Sequence, residues 1–110
     1  MKHILFDLKD CPSELLDNEE FVRLSVWTAA KKSKSELINI SCHKFKPQGV
    51  TGLAMLADSH LSIHTGPEKG VAKCDIFTCS DSNDPNAAIE YLRTQFKAME
   101  VRRWTCNRSL

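Results

Sequence analysis

Residues 36–79 contain four strand-like segments joined by links too short for anything except hairpins. The segments are 36–45, 50–57, 60–65 and 71–79. The third alternates cleanly, with Leu61 and Ile63 on one side and polar residues on the other. Because a parallel pair needs a crossover of a dozen or more residues, we expect these segments to pair antiparallel.

Helix patterns flank this block of strands. Asp17 and Glu20 form a capping-box pattern, which predicts a helix from about residue 18 to about residue 32. Asp84 and Pro85 are typical of the N-cap and first turn of a second helix. Its predicted buried stripe contains Ile89, Leu92, Phe96 and Met99.

Terminal strand patterns at 2–8 and 101–106 complete a single predicted domain over residues 1–110. The order β-α-β-β-β-β-α-β predicts an α+β two-layer sandwich, with a mainly antiparallel sheet and two helices on one face. The other face of the sheet then needs cover, which predicts a homodimer.

Charge and hydropathy exclude several classes of partner. The formal net charge is +1, which provides no concentrated basic surface for nucleic acid. No apolar run approaches the ~20 residues of a membrane span, and no signal-peptide pattern opens the chain, so a cytoplasmic location is expected. The five cysteines include no Cys-x-x-Cys pair, which argues against a disulfide framework or a zinc knuckle.

The segment richest in reactive side chains begins where the third strand is predicted. Ser59 follows Asp58 directly, and a hydroxyl so placed, with imidazoles close by, is suited to attack its own backbone. Taken alone, Ser59 would be a solvated strand residue and Cys79 a small buried apolar residue. His60 and His64 would lie about 13 Å apart on a strand. That separation is too large for one metal ion, so no metal site is predicted.

Three motifs together resemble the small prokaryotic S-adenosylmethionine decarboxylase proenzymes. The central one is Asp58-Ser59-His60-Leu61-Ser62-Ile63-His64-Thr65-Gly66-Pro67-Glu68. It agrees at nine of eleven positions with the family pattern Glu-Ser-His-Leu-Ser-Ile-His-Thr-Trp-Pro-Glu. The others are His-Lys-Phe-Lys-Pro-Gln-Gly-Val-Thr-Gly at residues 43–52 and Phe-Thr-Cys at 77–79. The resemblance extends over essentially the whole chain.

This resemblance implies self-cleavage between Asp58 and Ser59 into a beta chain, 1–58, and an alpha chain, 59–110. The Ser59 hydroxyl would attack the Asp58 carbonyl, and the resulting ester would eliminate to leave a pyruvoyl group at position 59. That group forms a Schiff base with the substrate amine and acts as the electron sink that pyridoxal phosphate supplies elsewhere, without a metal.

The resemblance assigns roles to further residues. His64 matches the processing base, and Thr51 matches a hydroxyl position that supports processing. Cys79 matches the proton donor of decarboxylation. Phe45 matches an aromatic residue that packs on adenine, and Glu68 matches a carboxylate that contacts the substrate.

Ser59 and His64 raise a geometric question. They are five positions apart, which is an odd number, so on one uninterrupted strand their side chains would point to opposite faces. Either the strand is interrupted near the cut, or His64 acts on Ser59 of a second subunit, because the family's active sites lie at a dimer interface.

Two positions depart from the family pattern. Asp58 replaces the family's Glu, and Gly66 replaces its Trp. The loss of the Trp side chain removes apolar contact worth roughly 1–3 kcal/mol. Three functions therefore remain open: an S-adenosylmethionine decarboxylase feeding spermidine synthesis, a pyruvoyl-dependent ornithine or arginine decarboxylase, and an unprocessed non-catalytic regulatory homologue. Ser59, His64 and Cys79 favour an enzyme.

Overall fold

The computed structural model describes residues 1–109, which form one antiparallel sheet with helices on one face. The strands are β1 (Lys2–Lys9), β2 (Leu37–Lys44), β3 (Val50–Leu56), β4 (His60–Gly66), β5 (Val71–Thr78) and β6 (Glu100–Asn107). The helices are α1 (Ser13–Leu16), α2 (Glu19–Lys32) and α3 (Pro85–Gln95), and a 3-10 turn covers Pro67–Lys69. The α+β class is confirmed; α1 and the 3-10 turn were not predicted. No helix within residues 1–109 has the length and apolar character that crossing a membrane requires.

The strand order across the sheet is β2-β3-β4-β5-β1-β6, and all neighbours are antiparallel. The predicted hairpins β2–β3, β3–β4 and β4–β5 are therefore confirmed. The N-terminal strand β1 lies between β5 and β6, a long-range pairing that no local pattern predicts. As a result His3 of β1 and His60 of β4 both stand opposite Phe77 of β5, one on each side.

The core lies between the sheet and helices α2 and α3. Leu61 and Ile63 are fully buried there, which confirms the predicted alternation of β4. Other fully buried members are Phe6, Leu8, Val22, Val26, Ile76, Leu92 and Phe96. Each such side chain contributes about 1.5–3 kcal/mol relative to an exposed position, so this layer stabilises the sheet that carries the site.

The face of the sheet opposite the helices, here the outer sheet face, is not covered by residues 1–109. Four large apolar side chains on it are 46–54% exposed: Leu5, Leu53, Met55 and Trp104. Polar side chains from the central strands share the face, including His60, Ser62 and His64, which alternate with the buried residues of β4. An exposed apolar patch of this kind is typical of a protein interaction surface.

The capping-box prediction at the start of α2 is wrong. The N-cap is Asn18, whose side chain accepts from the backbone N–H of Phe21 at 3.0 Å. The Asp17 carboxylate does not cap the helix. It accepts hydrogen bonds from the backbone N–H of Gly49 at 2.8 Å and from Lys44 Nζ at 3.0 Å. A neighbouring residue therefore caps the helix, and Asp17 is free to hold the loop between β2 and β3.

The prediction that Met99 belongs to the buried stripe of α3 is also wrong. The helix ends at Gln95 with Phe96 as its C-cap, and Lys97 then takes a left-handed conformation with φ 53°. This turn carries Met99 out of the helical repeat and leaves it 81% exposed. Its backbone N–H donates to Lys9 O at 2.9 Å, beginning the pairing of β6 with β1.

Candidate active site

The predicted cleavage point lies in the tight turn between β3 and β4. Backbone hydrogen bonds close this turn, from Leu56 N to Ser59 O at 3.0 Å and from Ser59 N to Leu56 O at 3.4 Å. Asp58 is exposed and Ser59 is half-buried. The Ser59 hydroxyl donates to Asp58 Oδ1 at 3.1 Å. The hydroxyl therefore lies beside the residue whose carbonyl it is predicted to attack.

Cys79 joins this turn from the neighbouring strand. It follows the last residue of β5, which pairs with β4, and its thiol donates to the backbone carbonyl oxygen of Asp58 at 2.8 Å. A small hollow of about 70 Å³ adjoins it, lined by residues of the N-terminus and of the segment 78–85. Asp58, Ser59 and Cys79 thus form one group, here the turn group.

The buried core contains two further thiols, those of Cys11 and Cys74. Burial, with a smaller effect of Asp10, raises the pKa of Cys11 to about 11. Burial likewise raises the pKa of Cys74 well above its ordinary value. Because the thiolate is the reactive form, these two core cysteines are suited to packing rather than to reaction.

Thr51 and His64 form a second group at the other end of the β3–β4 hairpin. They stand opposite each other in the strand pairing, and Thr51 Oγ1 lies 3.1 Å from His64 Nδ1 in a hydrogen bond. Five residues at ~3.3 Å each place His64 about 16 Å along the strand from Ser59. Within one protomer, therefore, His64 does not reach the hydroxyl that it is predicted to serve.

Phe45 and Glu68 lie at the same end of the sheet as Thr51 and His64. Phe45 follows β2, is 46% exposed, and contacts the His43 ring edge-on at a centroid distance of 4.5 Å. Glu68 lies in the 3-10 turn that follows β4. We name these four predicted site residues the far group: Phe45, Thr51, His64 and Glu68.

Gly66 occupies the edge of the far group. A Cβ built on it would lie 3.4 Å from Val71 Cγ1 and 3.5 Å from Glu68 Oε1, which are ordinary van der Waals contacts. The backbone therefore accommodates a side chain at this position. The glycine is not required by its packing, and its absent side chain leaves space beside the Glu68 carboxylate.

The loop that presents Phe45 is held by residues that sequence reasoning did not assign to the site. Its Gly49 N–H donates to Asp17, and the N–H of Val50 donates to Thr65 Oγ1 at 2.8 Å. The Thr65 hydroxyl donates in turn to Leu16 O at 2.8 Å. The backbone hydrogen bond from Gly49, and then the contact with Lys44, hold the pKa of Asp17 below its ordinary value. These contacts fix the loop to the start of α2.

A cluster of hydrogen-bonded polar side chains in the middle of the outer sheet face was also not predicted from the sequence. His3 Nε2 and His60 Nε2 each lie 2.7 Å from Asp75 Oδ2, and the Ser62 hydroxyl donates to Asp75 Oδ1. Burial raises the pKa of Asp75, but the hydrogen bonds from Ser62, His3 and His60 outweigh it and hold the pKa below 3.8. In the sequence, the alternation of polar and apolar residues in each strand predicts polar side chains on this face. It does not indicate which strands are neighbours, so it could not bring these residues together.

Comparison with known proteins gives one consistent result. Residues 2–109 match the family model described as S-adenosylmethionine decarboxylase. The S-adenosylmethionine decarboxylase proenzyme of Synechococcus sp. strain WH7803 is 51% identical over 98 residues, which cover 89% of this chain and 77% of that protein. The proenzyme of the same name from Methanococcus aeolicus is 47% identical over 96 residues, or 87% of this chain and 82% of that protein.

The fold agrees with a solved structure as well. The crystal structure of the adenosylmethionine decarboxylase from Aquifex aeolicus VF5 superposes with a TM-score of 0.89 at 31% identity. The superposition covers 99% of this chain and 90% of that one. The chain therefore belongs to the S-adenosylmethionine decarboxylase family.

Proposed function

We propose that this chain is a self-processing, pyruvoyl-dependent decarboxylase of S-adenosylmethionine, whose product feeds spermidine synthesis. The pyruvoyl group would be made from Ser59. One observation carries the proposal: in a member of this family, the Ser59 hydroxyl and the Cys79 thiol converge on Asp58 at 3.1 and 2.8 Å.

Self-cleavage begins when Ser59 Oγ attacks the carbonyl carbon of Asp58. The hydroxyl proton passes to a base, the amide nitrogen leaves as the amine of residue 59, and an ester replaces the peptide bond. Negative charge develops on the Asp58 carbonyl oxygen during this step. The Cys79 thiol already donates to that oxygen and would stabilise the charge.

The ester then breaks by elimination. Residue 59 loses its Cα proton to a base, the Cβ–O bond breaks, and Asp58 leaves with a free carboxylate. The dehydroalanine left at position 59 takes up water and releases ammonia, which yields the pyruvoyl group. His64 and Thr51, in hydrogen-bond contact at 3.1 Å, form a base and hydroxyl pair suited to these proton transfers.

The turn group fits a pyruvoyl group at position 59. The turn is open to solvent at Asp58, and the hollow of about 70 Å³ adjoins Cys79. The group, once formed, supplies the electron sink for loss of carbon dioxide from an amino acid. The Cys79 thiol, already at this junction, would hold the proton that replaces the lost carboxylate.

We propose that the far group serves the turn group of a second copy. Leu53 and Ser62 face each other in the β3–β4 pairing, about midway between the Thr51–His64 pair and the turn. A two-fold axis through this midpoint, with two outer sheet faces packed together, would bring His64 of one chain over Ser59 of the other. The exposed apolar residues of the outer sheet face support such packing, because burying them removes apolar surface from water.

Residues of both chains would then take part in substrate recognition. Phe45 presents an exposed aromatic ring suited to stacking on the adenine, and Glu68 offers a carboxylate to the substrate's polar groups. Asp17 and Thr65 hold the loop that carries Phe45, so they act as positioning residues for this contact.

Gly66 favours a second candidate function, decarboxylation of ornithine or arginine. Both substrates lack a nucleoside, so they need less apolar surface than S-adenosylmethionine. The space beside Glu68 that the glycine leaves would suit the basic end of such a substrate.

The intact mass of the purified chain tests processing. We expect two fragments, 1–58 and 59–110, with the second lighter by one ammonia than simple hydrolysis gives. A single uncut species at 12.4 kDa would overturn self-processing and favour the non-catalytic regulatory function.

Release of labelled carbon dioxide tests the substrate. The cleaved protein is incubated separately with carboxyl-labelled S-adenosylmethionine, ornithine and arginine, and Ser59→Ala is the matched control. Release from S-adenosylmethionine supports the main proposal, whereas release only from ornithine or arginine replaces it with the second candidate.

A further inference from the structure

We propose that His3, His60 and Asp75 form a binding site for a divalent transition-metal ion, with Zn²⁺ as the best-suited ion. The site lies in the middle of the outer sheet face. The site does not depend on the pyruvoyl chemistry. Neither Ser59 nor Cys79, the reacting residues of the turn group, contributes a ligand.

Three neighbouring strands bring the ligands together. His60 belongs to β4, Asp75 to β5 and His3 to β1, which are adjacent in the sheet. Both histidines stand opposite Phe77, and Asp75 lies two residues before it on the same face. One ligand atom from each residue lies within 4.8 Å of the other two.

The donor set suits a borderline metal. Two imidazole nitrogens and one carboxylate oxygen are common ligands of Zn²⁺, with bonds of about 2.0–2.2 Å and a fourth position open to water. Tetrahedral geometry at that bond length puts ligand atoms about 3.3 Å apart. Both Nε2 atoms lie 2.7 Å from Asp75 Oδ2, so each would move away from this oxygen by about 0.6 Å to admit the ion, and the two Nε2 atoms already lie within 4.8 Å of each other.

Surrounding contacts already orient the three ligands. The Ser62 hydroxyl donates to Asp75 Oδ1, which leaves Oδ2 directed at the two imidazoles. The Phe77 ring is stacked with His60 at an interplanar angle of 26° and meets His3 edge-on. Such outer contacts fix ring and carboxylate orientation in metal sites.

The three ligands are partly exposed in the protomer, and the dimer proposed above would place them at its interface. The side chains of His3, His60 and Asp75 are 29%, 38% and 23% exposed in the protomer. Because His3 belongs to residues 1–58 and the other two ligands to 59–110, a bound ion would also join the two fragments that cleavage would produce.

Cobalt and zinc titrations of the purified full chain, stripped of metal with chelator, test the proposal. We expect one Co²⁺ per chain with the visible absorption of a tetrahedral nitrogen and oxygen site, displaced by one equivalent of Zn²⁺. His3→Gln and His60→Gln keep a polar side chain of similar reach, and each should weaken Zn²⁺ binding by about 100-fold or more; Ser62→Ala should weaken it by about tenfold.

The chain offers a matched control. It has four histidines, and the other two, His43 and His64, are exposed. His43→Gln should leave zinc affinity unchanged. Circular dichroism establishes that each variant is folded, so lost binding cannot be mistaken for unfolding.

Three results would each overturn the site: no saturable binding of either ion, unchanged affinity in folded His3→Gln, or thiolate charge-transfer absorption in the cobalt complex. The last would assign the ion to one of the free cysteines instead. With any of these results, His3, His60 and Asp75 would be a hydrogen-bonded network only.

Discussion

The Cys79 thiol donates to the backbone carbonyl oxygen of Asp58 at 2.8 Å, on the acyl side of the peptide bond before Ser59. The contact follows from the sheet, because the end of β5 lies beside the start of β4. In the proposed function the Cys79 thiol would take part in two steps: it would stabilise the carbonyl oxygen before the cut and deliver a proton after it.

Replacing Cys79 should therefore slow processing as well as decarboxylation. Cys79→Ala removes a donor from the attacked carbonyl, and we expect cleavage about fivefold slower, since one neutral hydrogen bond contributes roughly 1 kcal/mol. Cys79→Ser should cleave faster than Cys79→Ala because its hydroxyl can donate. Time courses by intact mass measure this, with exposed Cys106→Ala as control. Equal rates for wild type and Cys79→Ala would contradict the role.

Mixed dimers test whether the far group acts across subunits. Ser59→Ala and His64→Ala chains, each uncut alone, are co-expressed with different tags. A mixed dimer contains one complete site, so about half of the His64→Ala chains should be cleaved when pairing is random. If no His64→Ala chain is cleaved in the mixture, His64 does not serve the partner subunit.

Restoring the family's aromatic residue tests the role of Gly66. Gly66→Trp should raise kcat/KM for S-adenosylmethionine about tenfold or more, because buried aromatic contact contributes roughly 1–3 kcal/mol. Gly66→Ala is the matched control, since a Cβ fits there at ordinary van der Waals distances but adds no aromatic surface. A gain with ornithine or arginine instead would show that the position selects another substrate.

The Asp75 network predicts a specific dependence of stability on pH. The lowered pKa of Asp75 means that its charged form stabilises the fold above the ordinary value of 3.8, and that this contribution is lost as the pH falls through the lower folded value. Asp75→Asn should cost about 1–2 kcal/mol near neutral pH.

Denaturant unfolding of wild type and Asp75→Asn, measured in metal-free buffer between pH 7 and pH 3, checks this dependence. The difference between the two should shrink below about pH 4. The exposed Asp81→Asn is the control. A difference that stays constant over the whole range would assign the effect to packing rather than to charge.

Local patterns predicted the elements but not their arrangement. Alternation and turn residues placed the strands to within about two residues, because each signal is contained in a short segment. The insertion of β1 between β5 and β6 could not be predicted in this way, since it depends on which distant strands bury the most surface together. For the same reason, the contact of His3 with Asp75 was missed.

Within the candidate site, the motif named candidate residues but did not predict how they are arranged, and their roles stay predictions. The turn group comes from one hairpin and its neighbouring strand, which bring Ser59 and Cys79 together at Asp58. The odd spacing of Ser59 and His64 predicted that their side chains point to opposite faces of a strand. The structure adds that the two residues lie at opposite ends of the β3–β4 hairpin, far from each other.

The interleaved strand order has a consequence for the life of the protein. Cleavage after Asp58 would leave β1 of one piece held between β5 and β6 of the other, and β3 paired with β4. An uncut chain carries all six strands in one molecule, whereas two denatured pieces must first meet, at a rate that depends on their concentration. Maturation would thus turn refolding from a unimolecular into a bimolecular process, so a molecule that unfolds after the cut would recover more slowly the more dilute its pieces are.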